Sequence, residues 1–358
     1  MLRPALLSLT LLATLAGCSD DAPPAAKTEP FAATSAALTD GVLLPAYTRW
    51  TDDNRHLVDS ARAFCAGEQD LAAARQAYRQ AHAAWAALQP LAIGRLGEGN
   101  LAWQVQFWPD KKNLVARQVN ALLDAKPQLK QADLESASVV VQGLSAYEYL
   151  LFDAALDLDQ LEQKRRYCPL LLGIGTHQQA LSAGVLASWI GEQGLAAQLK
   201  QFPNPRYAEG REAIGELLRI QVGALDGLKK KLGTPLARGK TPQPYQAEGW
   251  RSATSLASLD ASLASAEALW RGADGPGVRS LLGAEHGDLA TRIDAAYSET
   301  RQRLGALGAP LGELLASDAG RDSLGQLYDS LDRLHRLQEG ELARALGIQL
   351  GFNAHDGD

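Results

Sequence analysis

Apolar side chains recur every three or four residues along most of the chain, which is the spacing of one buried face of an α-helix. After residue 250 leucines mark the same spacing in three successive stretches. No stretch alternates apolar and polar residues for long enough to build a sheet. The pattern therefore predicts an all-α protein, with first-half helices at about Leu38–Phe64, Asp70–Leu88, Lys164–Leu199 and Arg206–Leu232.

One stretch, Val139–Asp153, is apolar on nearly every side, which is typical of a helix buried all round. We expect this helix to run from about Asp133. It carries a carboxylate, Glu148, and Ser145 lies one turn earlier on the same face. Burying a carboxylate costs free energy unless it is paired or binds something. Glu148 is therefore the leading candidate for a functional residue, and the identity of its partner is the central question.

Residues 234–249 are rich in proline and glycine and lack apolar periodicity, which predicts a linker. This linker divides the chain into an N-terminal helical domain, residues 38–233, and a C-terminal helical bundle with a tail, residues 250–358. The periodicity on both sides of the linker predicts two helical-bundle domains.

The N-terminus has the form of an export signal. A positive residue and a short apolar run lead into Leu-Ala-Gly-Cys, which resembles the cleavage site of bacterial lipoproteins. We therefore expect residues 1–18 to be a lipoprotein signal peptide and Cys18 to carry the lipid, the alternative being an ordinary signal peptide. Ser19 in place of aspartate favours the outer membrane, with the protein facing the periplasm. Residues 19–37, rich in alanine, proline and serine, are predicted to be a flexible tether.

Two further cysteines, Cys65 and Cys168, remain for the exported protein. An even pair in an oxidising compartment favours a disulfide, whereas two separate buried thiols are the alternative. The formal net charge of -6 shows no basic excess, so we do not expect a nucleic-acid partner.

The Glu148 stretch resembles the signature of the imelysin family, bacterial cell-envelope proteins linked to iron uptake. That signature is Gly-x-His-x-x-Glu followed by an aromatic–Leu–Leu–aromatic run, and Gly143, Glu148 and residues 149–152 fit it. Ser145 stands at the histidine position. Further resemblance lies in Trp-Pro-Asp from Trp108, in Trp-Arg-Ser from Trp250 and in the tail from Gly347. The resemblance implies two packed helical domains with a ligand cleft between them.

The family is also associated with metallopeptidases through its His-x-x-Glu pair. Catalytic metal sites generally use three protein ligands, and serine is a poor substitute for histidine. The sequence has no His-Glu-x-x-His motif, and none of its six histidines is spaced with another as paired ligands. We therefore expect a non-catalytic binding protein for a metal or a metal-bearing ligand, the alternative being a metal-dependent peptidase. A third possibility is that Glu148 is purely structural.

We predict that the ligand site lies between the domains. Glu148, as the metal-binding residue, is expected to pair with Arg251 at the start of the second domain, with a bidentate geometry. The other predicted ligand-binding residues are Ser145, Tyr147, Trp108 and, in a tail that acts as a lid, Asn353 and Asp356. The resemblance implies iron or another divalent cation as the bound species, and other envelope iron-uptake proteins as partners.

Overall fold

The computed structural model describes residues 29–350, and every regular element within this range is helical. The predicted all-α fold is confirmed. Cys18, Asn353 and Asp356 lie outside the described residues. The α-helices are α1 (Pro30–Leu38), α2 (Leu44–Ala66), α3 (Leu71–Leu88), α4 (Leu101–Val105), α5 (Leu114–Ala125), α6 (Gln131–Glu135), α7 (Leu144–Phe152), α8 (Leu161–Ala187), α9 (Leu195–Gln198), α10 (Gly210–Leu236), α11 (Ser255–Arg271), α12 (Gly287–Gly305), α13 (Leu311–Leu315), α14 (Asp318–Arg336) and α15 (Ala343–Ala345).

The first group of helices is built around α2, which packs along both α3 and α8. A disulfide between Cys65 and Cys168 joins the end of α2 to the start of α8, so the predicted bridge is confirmed. The short helix α7, which carries Glu148, packs against α3, α5 and α8. Glu148 is therefore buried beside these helices and does not lie on the protein surface.

The second group contains α10, α11, α12 and α14, and α1 also packs on α10. Helix α11 connects the groups because it packs extensively against α3. Buried apolar residues of both groups form one continuous core. None of the helices described between residues 29 and 350 combines the length and the hydrophobicity that a bilayer crossing requires.

The predicted tether, residues 19–37, is corrected from Pro30 onward, where α1 begins. The Glu29 carboxylate accepts a hydrogen bond from the Ala32 amide at 3.0 Å, and Pro30 stands in the first turn, where proline is tolerated. Phe31 is buried, and the Ser35 hydroxyl donates to the Leu199 carbonyl at 2.6 Å. The small residues that resemble a tether in the sequence therefore form a helix that packs on the core.

The predicted linker is also more closely packed than its composition indicates. Helix α10 continues through Pro235 to Leu236, and Ala247 and Glu248 are buried. Helix α10 belongs to the first predicted domain but packs against α14 of the second. The division at residues 234–249 therefore stays a prediction, since the packing of the helices crosses it.

Candidate functional site

The helix that carries Glu148 is shorter than predicted: α7 begins at Leu144 rather than near Asp133. Residues Val139–Val141 form a 3-10 turn, and Gly143 is extended at the N-cap. A Cβ atom on Gly143 would lie 2.5 Å from the Val105 carbonyl oxygen. The close approach of the chain before α5 thus requires glycine here and ends the preceding turn.

Glu148 is 5% exposed, and its partner is Ser252 rather than Arg251. Its Oε1 accepts hydrogen bonds from the Ser252 amide at 2.8 Å and from the Ser252 hydroxyl at 2.7 Å. The predicted bidentate pair with Arg251 is therefore wrong. The Arg251 Nε instead donates to Asp153 Oδ2 at 2.7 Å, just beyond the end of α7.

Aromatic packing explains where the Arg251 guanidinium lies. It is 4.3 Å from the Trp250 ring centroid and 5.4 Å from that of Tyr149, both within cation–π range. It also donates to Asn113 Oδ1 at 3.2 Å. Arg251 thus closes one side of the site without touching the Glu148 carboxylate.

Burial has the largest effect on the pKa of Glu148. Burial raises the pKa of Glu148, while the two Ser252 hydrogen bonds and the nearby Arg251 charge lower it, and the net shift is upward. The Oε2 atom has no hydrogen-bond partner among residues 29–350. Glu148 therefore presents one saturated oxygen and one that is free to accept a hydrogen bond.

Glu148 lines a narrow cleft between α7 and the segment that leads into α11. The free space at its floor is about that of a single water molecule. Outward the cleft widens into a hollow of about 300 Å³ that includes Lys111, Lys112 and Asn113. The inner lining also contains Gln106, Phe107, Trp108, Asp110, Ser145, Tyr245, Gly249, Trp250 and Arg251.

Ser145 and Trp108, two of the predicted ligand-binding residues, line the cleft, and the side chain of each donates a hydrogen bond to a backbone carbonyl. The Ser145 hydroxyl donates to the Phe107 carbonyl at 2.7 Å, and the Trp108 indole donates to the Gln246 carbonyl at 3.0 Å. Tyr147 does not line it, which corrects that prediction. Its side chain is fully buried and points into the core, where its hydroxyl donates to the Leu57 carbonyl at 3.3 Å. Neighbouring residues of a helix face different ways, so Tyr147 and Glu148 cannot share one cleft.

The described residues do not fit a bare metal ion. Between residues 29 and 350 there is no group of three or more histidine, cysteine, aspartate or glutamate side chains placed to hold one. Asp110, the other carboxylate of the inner lining, accepts hydrogen bonds from the Leu114 and Val115 amides at 2.7 and 3.1 Å and so begins α5. Glu148 alone would offer a metal a single protein ligand, below the three or four that such sites use.

A second buried acidic residue near the cleft is Glu248. It accepts a hydrogen bond from the Lys231 ammonium at 2.7 Å, which also donates to Gln89 at 2.6 Å. Burial is the largest single influence and would raise the pKa of Glu248, but the Lys231 charge, the nearby His82 and the hydrogen bonds from Lys231 and Gln89 together outweigh it and lower that pKa. This ion pair is fully compensated, which distinguishes Glu248 from Glu148.

Sequence reasoning missed the partner of Glu148 because serine carries no charge to suggest it. Ser252 completes the Trp-Arg-Ser run, and Thr254, Ser255 and Ser258 follow within six residues. Such a dense set of hydroxyl residues opening a predicted buried helix is the signal that could have identified the polar side of the site.

The structure is that of an all-α protein of two helix groups with a narrow cleft, lined by the buried Glu148, at their junction. The family model described as Peptidase_M75, Imelysin, matches residues 43–338. The chain therefore belongs to the imelysin family. No curated protein matches this sequence.

Two solved structures share the fold. An imelysin-like protein from Psychrobacter arcticum 273-4 is 21% identical with a TM-score of 0.75, over 90% of this chain and 97% of that one. An iron-regulated protein A precursor from Parabacteroides distasonis ATCC 8503 is 16% identical with a TM-score of 0.70, over 86% of this chain and 94% of that one. At these low sequence identities, the comparison shows a shared fold and nothing more.

Proposed function

We propose that this imelysin is a non-catalytic binding protein of the cell envelope, which takes part in the uptake of iron or another metal and receives its ligand in the Glu148 cleft. One observation carries the proposal. The carboxylate of the buried residue Glu148 has one oxygen fixed by Ser252 and leaves the other without a partner among the described residues, at the floor of a cleft. A ligand that donates to this oxygen would offset the desolvation of the carboxylate.

The ligand we propose is a metal-bearing molecule rather than a bare ion. A chelated metal brings most of its own donor atoms, so one protein carboxylate is enough to contribute to its binding. The wider outer hollow, with Lys111, Lys112 and the half-exposed rings of Tyr245 and Trp250, is suited to the organic part of such a ligand.

Binding is favoured over peptide hydrolysis by the state of Ser145. Its hydroxyl donates to the Phe107 carbonyl, so it offers Glu148 no second metal ligand of the kind that a histidine would provide. A peptidase would need this position to hold a metal-bound water near the scissile bond.

The link to iron rests on the family resemblance, and one solved relative of the same fold is described as iron-regulated. The test is growth of a strain that lacks the gene. We expect a defect under iron limitation that the wild-type gene and the surface control Glu341→Gln restore, but Glu148→Gln does not. Full restoration by Glu148→Gln would contradict the proposal.

The envelope location is part of the same proposal and rests on the lipoprotein-like sequence that ends at Cys18. Intact-mass analysis of the protein from outer-membrane fractions should give the mass of a chain that starts at a lipid-modified Cys18. Cys18→Ala should release the protein from the membrane fraction. An unmodified Cys18 in that fraction would exclude the anchor.

A further inference from the structure

A series of hydrogen bonds runs through the buried interior behind the cleft, and its first half fixes a direction. The Trp85 indole N–H donates to Gln106 Oε1 at 2.8 Å. Because this group can only donate, the Gln106 amide must present its NH₂ to His82 Nε2, which lies 2.8 Å away. Burial lowers the pKa of His82 to about 4, so the imidazole is neutral at neutral pH. A neutral ring that accepts at Nε2 carries its proton on Nδ1.

The second half continues in the same direction towards Glu148. The His82 Nδ1 lies 3.1 Å from the Thr254 hydroxyl and 3.2 Å from the Ser258 hydroxyl. The Nδ1–H group donates a hydrogen bond to Thr254, with Ser258 as a second acceptor, and the Thr254 hydroxyl is free to donate to the Ser252 hydroxyl at 2.9 Å. Ser252 then donates to Glu148 Oε1 at 2.7 Å. Each group passes a hydrogen bond forward, and the series ends on an acceptor-only carboxylate.

We infer that this Trp85-to-Glu148 series orients Ser252 as the fixed donor to Glu148, and that His82 and Thr254 are positioning residues for ligand binding in the cleft. The inference rests on the proposed function and explains how its site is built. Hydrogen bonds in such a series polarise one another, so the final bond to the carboxylate is strengthened by those behind it.

Ser252 needs this orientation because it has a second acceptor within reach. Its hydroxyl lies 3.2 Å from the Gly249 carbonyl, against 2.7 Å from Glu148. A donor from Thr254 occupies a lone pair of the Ser252 oxygen and favours the proton pointing to the carboxylate. Without Thr254, the Ser252 proton can rotate to Gly249 and leave Oε1 with the amide alone.

Gly249 makes room for the series. Its φ of +63° is in the left-handed region, and a Cβ atom there would lie 2.2 Å from Thr254 Oγ1 and 3.1 Å from the His82 ring. Gly249 also lines the cleft, as do both Gln106 and Glu148. The series therefore begins behind one wall of the cleft, passes through the interior between α3 and α11, and returns to its floor.

The direction of the series is tested directly on the wild-type protein by ¹⁵N NMR of the His82 ring. We expect the neutral tautomer with the proton on Nδ1 at pH 7. A proton on Nε2 would reverse the first half of the series and overturn the inference, whatever ligand the protein binds.

The positioning role is tested by a matched pair of variants at Thr254. Thr254→Val keeps the shape and removes the hydroxyl, whereas Thr254→Ser keeps the hydroxyl. With ferric citrate as the probe, we expect Thr254→Val to bind about tenfold more weakly and Thr254→Ser to stay within about twofold of wild type. Equal affinities of the two variants, both folded by circular dichroism, would refute the role. If the wild type itself does not bind ferric citrate, the proposed ligand is wrong, while the tautomer measurement still decides the series.

Discussion

At the scale of single residues, Arg251 contributes to stability by compensating Asp153 rather than Glu148. Its side chain is 6% exposed, and that of Asp153 is 19% exposed, so little water replaces a lost partner. We expect Arg251→Ala to lower the free energy of unfolding by about 3 kcal/mol, because Asp153 is left largely buried and unpaired. The measurement is urea denaturation monitored by circular dichroism.

Arg55→Ala is the matched control for that experiment. Arg55 also pairs with an aspartate, Asp52, but both side chains are more than half exposed. Its loss should cost less than about 1 kcal/mol. Similar losses for the two variants would show that the Arg251 pair has no special role.

The buried histidine makes stability depend on pH. The pKa of His82 falls from 6.5 to about 4 on folding because burial disfavours the imidazolium. The folded protein therefore binds this proton less readily than the unfolded chain. The associated stability is complete above pH 6.5 and is lost as the pH falls towards 4, a change of roughly 3 kcal/mol.

Denaturation curves of wild type and His82→Gln, recorded at each pH between 7.5 and 4, measure the contribution of His82 to the free energy of unfolding. We expect the difference between them to shrink as the pH falls. His56→Gln, which changes an exposed histidine, should keep the wild-type pH profile. A wild-type profile for His82→Gln as well would rule out the assignment to His82.

At the scale of secondary-structure elements, the disulfide ties α2 to α8 across 103 residues of sequence. Closing so long a loop restricts the unfolded chain. We expect the double variant Cys65→Ser, Cys168→Ser to lose about 2–5 kcal/mol of stability. Reduction of the wild type should produce the same loss and should not affect the double variant. Stability that is insensitive to reduction would contradict this account.

The same scale shows what periodicity can and cannot predict. Helices α2, α3, α8 and α10 were predictable because each buries an apolar face over many turns, but α8 ends at Ala187 rather than at the predicted Leu199. The start of α7 was not, since an apolar run looks the same in a helix and in a 3-10 turn. Its true limit depends on the approach of Val105 to Gly143, a contact 38 residues away in sequence that no local pattern records.

At the scale of the whole molecule, one core joins both helix groups, and the cleft lies where they meet. The sequence placed Glu148, Ser145, Trp108 and Arg251 near one another, because the family signature and the apolar helix both point to them. It assigned the wrong partner because charge suggested arginine, whereas an oxygen of a buried carboxylate can also accept hydrogen bonds from a neutral amide and a hydroxyl. Whether Ser252 or Arg251 contacts Glu148 depends on how the segment before α11 packs, and this packing is a property of the entire fold.

The most direct test of the central claim, that the Glu148 cleft binds the ligand, is a calorimetric titration with ferric citrate at pH 7. Glu148→Gln should fold, because the glutamine oxygen can accept both Ser252 hydrogen bonds, but it removes the negative charge. We predict one site per wild-type chain, a loss of at least about tenfold in affinity for Glu148→Gln and no change for Glu341→Gln. Wild-type affinity in Glu148→Gln would show that the ligand binds elsewhere and would contradict the account.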